Sequence, residues 1–165
     1  GDALFASSEL VIRGRTEFLS PAYYTSMGFA VPAALGAKMA RPDLKVIALV
    51  GDGAFQMTGM ELSTIVRRGL DVTVIVLDNK GYGTERVIHE GGFNDINPWE
   101  YQLLPKVLGG GTGFEIRTEG EFDQALTQAL TDSKGMNIIR AHIGLEDHST
   151  TLDRIGAGLA RRNRG

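Results

Sequence analysis

Two short apolar runs, each ending in a polar tip, constrain this chain more than any other feature. Residues 46–50 are apolar and lead directly into Gly51-Asp52-Gly53, and residues 72–77 lead into Asp78-Asn79. Both runs are too short for helices, and the second is continuous and rich in β-branched residues, which is typical of strands buried on both faces. Because open α/β sheets bind ligands at the carboxyl ends of their strands, we expect both tips to line a ligand site.

Helical and extended patterns alternate along the rest of the chain. We expect strands at residues 45–50, 72–77, 114–117 and 136–143, and helices at 28–40, 58–68, 98–108 (irregular, with an interruption near Pro105), 118–131 and 150–162. Capping-box patterns open two of these helices, at residues 58–61 and 118–121, and Gly69 is expected to end the first of them. The alternation predicts an α/β fold, with an open, mainly parallel sheet and helices on both faces, in a single domain.

Length and charge narrow the class of protein. The chain has 165 residues and a net charge of −3, which suits one domain with a buried core and provides no basic field for nucleic acid or an anionic membrane surface. It has no cysteine, which excludes disulfides and thiolate zinc sites and is consistent with the cytoplasm. We therefore expect a cytoplasmic protein with no nucleic-acid partner and no membrane partner.

The two polar tips contain the residue types of a metal–diphosphate site. Asp52 offers a carboxylate, and Asn79 offers an amide oxygen 27 residues later (79 − 52 = 27). Such hard oxygen donors suit Mg²⁺, which proteins usually hold with one or two carboxylates plus substrate phosphates. Taken singly, Asp52 is equally a turn residue and Asn79 a capping residue. The sequence has no Gly-Lys-Ser/Thr run, so a P-loop is excluded.

The spacing of these residues resembles the thiamine diphosphate motif, in which Gly-Asp-Gly is followed after somewhat under thirty residues by Asn. Three further runs make the chain similar to the pyruvate and indolepyruvate decarboxylase family of 2-keto acid decarboxylases. These are Thr-Ser-Met-Gly-Phe at 25–29, Gly-Tyr-Gly-Thr-Glu at 81–85 and Ile-His at 88–89. The likeness extends over roughly residues 1–147. It implies the thiamine diphosphate-binding fold, with thiamine diphosphate and Mg²⁺ as cofactors.

The resemblance also implies roles for individual residues. Asp52, Asn79 and the backbone carbonyl of Gly81 would bind Mg²⁺. Met27 lies in the run where the family places an apolar side chain beneath the cofactor, although many relatives have Ile there. Glu85 would be the catalytic acid/base on the substrate side. The implied cofactor-binding residues are Asp2, Thr25, Ser26, Met27, Gly53, Ala54, Phe55, Asn79, Gly81, Tyr82, Gly83 and Thr84.

The implied reaction is the non-oxidative decarboxylation of a 2-keto acid, of the pyruvate, phenylpyruvate or indolepyruvate type, to an aldehyde and CO₂. In this family a glutamate from the pyrimidine-binding domain of a second subunit activates the cofactor, which implies a homodimer or homotetramer. The chain begins without the apolar strand that precedes this point in the family. We therefore interpret residues 1–165 as the C-terminal diphosphate-binding domain and expect it to be inactive alone. A split subunit is the alternative.

Other interpretations remain open at the level of sequence. A carboligase of the acetolactate synthase type shares the metal motif but generally lacks an acid at the position of Glu85, and a non-catalytic diphosphate-binding module is a further alternative. The alternative for Glu85 is a solvated helix glutamate that pairs with Arg86 or Lys80. Two residues depart from the family pattern. Asp78 stands where many relatives have Asn, and Thr84 replaces a bulky aliphatic residue, which favours larger substrates.

Overall fold

A computed structural model describes residues 1–131 and 135–162, with side chains up to residue 158. Its sheet has four strands in the order β1-β2-β4-β3. The strands are β1 (Val46–Gly51), β2 (Val72–Asp78), β3 (Thr112–Ile116) and β4 (Asn137–His142). All three strand pairs are parallel, which confirms the predicted open, parallel sheet.

The described residues form eight α-helices and three single 3₁₀ turns. The helices are α1 (Asp2–Ser7), α2 (Ala30–Ala40), α3 (Asp52–Thr58), α4 (Leu62–Arg67), α5 (Gly83–Ile88), α6 (Leu104–Leu108), α7 (Glu119–Thr131) and α8 (Thr150–Arg162). The 3₁₀ turns are Gly59–Glu61, Gly92–Asn94 and Tyr101–Leu103. In the described parts of the chain, no helix is long and apolar enough to cross a membrane.

Helices cover both faces of the sheet, because side chains of successive strand residues point to opposite faces. Val72, Val74 and Val76 of β2 pack into one buried cluster with residues of α2, α3 and α4. Ile75 belongs to a second cluster, in which Ala125 and Ala129 of α7 also lie. Each face of β2 is therefore buried, as the continuous apolar run predicts.

One of the two predicted capping boxes is correct. At the start of α7 the backbone N–H of Glu121 donates to the Thr118 hydroxyl at 3.3 Å, and the Thr118 N–H donates to the Glu121 carboxylate at 3.0 Å. The prediction at Thr58 is wrong. Helix α3 already begins at Asp52 and ends at Thr58, whose hydroxyl donates to the Gly28 carbonyl at 2.6 Å. The long-range acceptor replaces the local cap.

The end of α4 at Gly69 follows the sequence prediction. Gly69 has φ +60°, in the left-handed region. Its N–H donates to the Val66 carbonyl at 2.9 Å, and the Leu70 N–H donates to the Ile65 carbonyl at 3.1 Å. This pair of bonds is the Schellman motif, which uses carbonyls that the helix itself leaves free. It ends α4 just before β2 and so helps to set where that strand starts.

We expect Gly69→Ala to destabilise the chain by about 1–2 kcal/mol, because a Cβ is disfavoured in the left-handed conformation. Gly36, inside α2 and with open space where a Cβ would lie, is the matched control. Gly36→Ala should stabilise the chain by about 0.5–1 kcal/mol, since alanine loses less conformational freedom than glycine in a helix. Urea unfolding of both variants checks this. Equal effects of the two substitutions would contradict the assigned role of Gly69.

Candidate functional site

The carboxyl ends of β1 and β2 meet at one edge of the sheet and bring the two predicted polar tips together. Gly51 pairs in register with Leu77, so the residues that follow each strand are neighbours. Asp52, the first residue of α3, is only 1% exposed, and Asn79 is also buried. The Asp52 carboxylate accepts hydrogen bonds from the N–H of Gly53 at 2.7 Å and of Gly81 at 3.1 Å. It therefore links α3 to the loop after β2.

Three oxygen atoms converge here, one each from Asp52, Asn79 and Gly81. The side-chain oxygen of Asn79 faces acceptors alone, and its position lies 2.8 Å from the Gly81 carbonyl oxygen and 3.2 Å from Asp52 Oδ1. Such an arrangement is repulsive unless something positive lies between the oxygens. If the Asn79 amide were rotated by 180°, its nitrogen would donate to both acceptors instead. The site therefore suits a cation between the three oxygens. Without a cation, it suits the rotated Asn79 amide, whose nitrogen then takes the position of the oxygen.

Burial of Asp52 changes its acidity. Desolvation raises the pKa of this carboxyl to about 6, and the nearby negative charge of Asp78 adds to the rise, while hydrogen bonds from the Gly53, Lys80 and Gly81 backbone oppose it. The ionised form of Asp52 is thus costly in the chain by itself. A cation at the three oxygens would compensate that cost.

A buried ion pair lies behind the sheet edge that carries Asp52 and Asn79. Arg140 of β4 donates to the Asp78 carboxylate at 2.7 Å and to Glu100 at 2.9 Å, and its guanidinium lies 5.8 Å from the ring centre of Tyr101. The Tyr101 hydroxyl accepts a hydrogen bond from Gln56 of α3 at 3.0 Å. Sequence reasoning missed this network. The available signal was a lone arginine inside an apolar strand, which requires a buried partner.

The loop after β2 is held in an unusual conformation. Lys80 has φ +64° and Gly81 has φ +154°. Gly81 forms an isolated antiparallel bridge with Asp95, and the Tyr82 N–H donates to the Asn94 carbonyl at 2.9 Å. Gly53 lies so close to the Tyr82 ring that a Cβ there would clash with it. The glycines at both tips therefore permit close packing of the loop against α3.

A cleft with a volume of about 1390 Å³ opens at this edge of the sheet. It is lined by almost every site residue that the sequence predicts, namely Asp2, Thr25, Ser26, Met27, Asp52, Gly53, Ala54, Asn79, Gly81, Tyr82, Gly83, Thr84 and Glu85. Phe55 is the exception, because its side chain is fully buried and packs edge-on against Tyr101 at a centroid distance of 5.3 Å. The cleft gathers residues from four separate segments of the chain.

Glu85 and its neighbours lie on the short helix α5, which the sequence did not predict. The Glu85 side chain is exposed, whereas the Thr84 hydroxyl is buried without a hydrogen-bond partner among the described residues. Arg86 pairs with Asp95 at 2.6 Å, so its guanidinium is engaged elsewhere and is no partner for Glu85. The first three residues of the run at 25–29 are also exposed at the cleft, namely Thr25, Ser26 and Met27.

Asp2 makes a contact that the sequence did not indicate. Its carboxylate accepts hydrogen bonds from the backbone N–H of Ser149 at 3.0 Å and from the Ser149 hydroxyl. The same hydroxyl oxygen accepts from the Leu152 N–H at 3.1 Å and caps α8. Although Asp2 lines the cleft, its carboxylate is committed to the start of α8.

Metal ligands of other kinds are lacking in the described part of the chain. No group of three or more His, Cys, Asp or Glu side chains in residues 1–131 and 135–162 could hold a metal ion. A metal at the sheet edge would therefore use one carboxylate, one amide oxygen and one backbone carbonyl. Oxygen donors of this type fit a hard cation such as Mg²⁺ rather than zinc or copper, which favour nitrogen or sulfur ligands.

Comparison with known proteins gives consistent matches. A family model described as the thiamine pyrophosphate enzyme C-terminal TPP binding domain matches residues 3–141. Indole-3-pyruvate decarboxylase of Azospirillum brasilense is 36% identical over 162 residues, which are 98% of this chain and 29% of that protein. A probable pyruvate decarboxylase of Schizosaccharomyces pombe is 32% identical over 167 residues, which are 99% of this chain and 29% of that protein.

A solved structure shows the same relationship. The thiamine diphosphate-dependent 4-hydroxybenzoylformate decarboxylase of Rhodococcus jostii RHA1 matches with a TM-score of 0.66 and 29% identity, covering 73% of this chain and 24% of that one. The chain thus spans less than a third of the length of these relatives. From its family match, its parallel α/β sheet and these relatives, the chain belongs to the thiamine pyrophosphate enzymes, as a C-terminal TPP-binding domain.

Proposed function

We propose that this chain is the Mg²⁺–diphosphate-binding domain of a thiamine diphosphate-dependent 2-keto acid decarboxylase. The relatives named above are decarboxylases, and the chain corresponds to only 29% of two of them. In this proposal, the pyrimidine-binding and middle domains of the complete enzyme lie outside residues 1–165. The pyrimidine-binding domain of a second subunit completes the site in a homodimer or homotetramer.

The observation that carries the proposal is the convergence of the Asp52, Asn79 and Gly81 oxygens. Ligands at right angles in an octahedral Mg²⁺ shell are roughly 2.9 Å apart, since each lies 2.0–2.1 Å from the metal. The oxygen separations of 2.8 and 3.2 Å are close to this value. Mg²⁺ would also neutralise the costly buried charge of Asp52 and attract the diphosphate. The diphosphate needs a cation because Lys80 is the only basic residue in segments 51–57 and 78–85.

The chain's own residues divide between the two ends of the cofactor. Asp52, Asn79 and the Gly81 carbonyl would hold the metal, and the first turn of α3 would direct N–H groups at the diphosphate. Thiamine diphosphate itself supplies the electron sink that makes loss of CO₂ possible. The loop of residues 79–81 is called the metal loop. Glu85, exposed in the cleft beyond this loop, would hold and deliver the proton that the substrate carbon needs.

The exposed apolar residues of the N-terminal segment support a partner at the cleft. In residues 8–29, which contain no regular helix or strand, Leu10, Phe18 and Leu19 are largely exposed and line the cleft. Large apolar side chains grouped in this way are typical of surfaces that contact another domain. The cytoplasmic location expected from the sequence stays a prediction.

The type of reaction is tested by product analysis. The complete enzyme, loaded with Mg²⁺ and thiamine diphosphate, should convert pyruvate, phenylpyruvate or indolepyruvate into the aldehyde and CO₂. Thr84 leaves space beside Glu85 for the larger two substrates. Acetohydroxy acid as the main product would instead identify a carboligase. If the enzyme showed no dependence on thiamine diphosphate, the chain would be a binding module without this chemistry.

We expect Asp52→Ala in the complete enzyme to abolish Mg²⁺-dependent retention of thiamine diphosphate. Lys80 is the only basic residue in segments 51–57 and 78–85, and its single charge cannot replace the divalent charge. Calorimetric titration of the cofactor, with and without Mg²⁺, measures this. Asp123→Ala on the exposed face of α7 removes the same charge and should bind as the wild type does. Wild-type affinity in Asp52→Ala would show that the metal assignment is wrong.

We expect Glu85→Gln to lower turnover by a factor of about 10²–10⁴, which is the range for loss of a general acid/base, and to leave cofactor affinity nearly unchanged. Because the loss of CO₂ itself needs no proton from the protein, the defect should appear after CO₂ release. Rapid quenching with NMR analysis of cofactor adducts measures it. Glu61→Gln, at an exposed position outside the cleft, is the control. Normal turnover, or loss of cofactor first, would assign Glu85 a structural or solvated role.

The raised pKa of Asp52 predicts a pH-dependent difference in stability. Its metal-free folded-state pKa of about 6 lies above its ordinary value of 3.8. The folded chain therefore binds the proton more tightly, and its stability falls as pH rises from about 4 to 6. Between pH 4 and 7, Asp52→Asn should gain about 2 kcal/mol relative to the wild type. Urea unfolding without metal, at both pH values, measures this. A difference that does not vary with pH would contradict the buried, ionised carboxylate.

A further inference from the structure

Arg86 is a buried cation that the proposed reaction does not use. It follows Glu85 on α5, but its side chain is only 4% exposed, whereas Glu85 faces the cleft. A guanidinium at this depth loses much of its hydration, and it is stable only if protein groups replace the lost water. Its partners therefore indicate its role.

The guanidinium joins two segments through a single nitrogen. Nη2 of Arg86 donates to Asp95 Oδ1 at 2.6 Å and to the Lys80 carbonyl oxygen at 3.2 Å. Nε and Nη1 are buried and have no hydrogen-bond partner in the described residues. The anchoring of this side chain thus depends on the Lys80 carbonyl on one side and on Asp95 on the other.

Both contacts fix the loop that ends at the expected metal ligand. Lys80 has φ +64° and Gly81 has φ +154°, and a non-glycine residue in the left-handed region costs about 1–2 kcal/mol. The loop therefore needs outside contacts to stay in this conformation. Next along the chain, the Gly81 N–H donates to Asp52 at 3.1 Å, and the Gly81 carbonyl faces the Asn79 oxygen. A shift at Lys80 would move both groups.

We propose that Arg86 is a positioning residue for the metal: it holds the Lys80 carbonyl against Asp95 and so fixes the Gly81 carbonyl where it meets the oxygens of Asp52 and Asn79. The inference rests on the proposed function and adds a residue to it. Because Arg86 and Glu85 are adjacent on α5, the same contact ties the helix of the proton donor to the metal loop.

The test is a calorimetric Mg²⁺ titration of the complete enzyme in the presence of thiamine diphosphate. Arg86→Met should raise the Mg²⁺ concentration at half-saturation by about 10- to 100-fold, the range for losing a residue that orients metal ligands. Arg86→Lys should recover much of the affinity, because one charged nitrogen makes both existing contacts. Arg67→Met, exposed near the opposite ends of the strands, removes the same charge and should leave the titration unchanged.

Asp95→Ala separates positioning from folding. Its side chain is 67% exposed, so the substitution removes the partner of Arg86 without leaving a cavity in the core. Like Arg86→Met, it should weaken Mg²⁺ binding, and its melting temperature should stay close to that of the wild type. Wild-type Mg²⁺ affinity in both Asp95→Ala and a folded Arg86→Met would overturn the inference.

Asp52→Ala, measured in the same titration, distinguishes this inference from the proposed function. If Asp52→Ala loses Mg²⁺ binding while the Arg86 and Asp95 variants retain it, the metal site stands and the positioning role of Arg86 is overturned. If the wild type binds no Mg²⁺ in this titration, the proposed metal site fails, and the inference fails with it. Weakened binding in all three variants, with rescue by Arg86→Lys, supports both.

Discussion

The hydrogen bond from the Gly81 backbone N–H to the buried Asp52 carboxylate determines how this site is built. Asp52 begins α3 directly after β1, and its carboxylate reaches the loop after β2 through the N–H of Gly81 at 3.1 Å. The two strand tips are thereby joined across the sheet edge by one side chain. Because that side chain is almost fully buried, its charge is expensive without a cation, and this cost is the physical reason for proposing a metal there.

A second carboxylate lies behind the first and is treated differently. Asp78 is as deeply buried as Asp52, but Arg140 pairs with it at 2.7 Å. Two unpaired carboxylates at one dry edge would repel each other strongly, so the Arg140 pair keeps the negative charge of Asp78 balanced within the protein. The Asp52 carboxylate, in contrast, accepts its hydrogen bonds from the backbone N–H groups of Gly53 and Gly81. Asp78 is thus paired within the protein, whereas Asp52 would bind the metal under the proposed function.

The residues that line the cleft also differ in how exposed they are. Asp52 and Asn79 lie at its buried end, whereas Glu85 and the run from Thr25 to Met27 are exposed. A carboxyl that works as a proton donor near neutral pH needs to be desolvated. Under the proposed function, this desolvation would come from the pyrimidine-binding domain of the second subunit and from the cofactor. Under the same proposal, the chain by itself would build the metal end of the site and leave the substrate end open.

The sequence by itself determined the strands, the parallel sheet and the meeting of the two polar tips, because apolar periodicity, glycine and the capping box at residues 118–121 act within a few residues. Only the tertiary structure decided which polar groups pair. Thr58 donates to Gly28 instead of capping a helix, and Arg140 contacts Asp78, which lies 62 residues earlier in the chain. Arg86 bonds to Asp95 and the Lys80 carbonyl rather than to Glu85. A local pattern shows that a buried charge needs a partner, but the partner is selected by which segments the packed core brings within hydrogen-bonding distance.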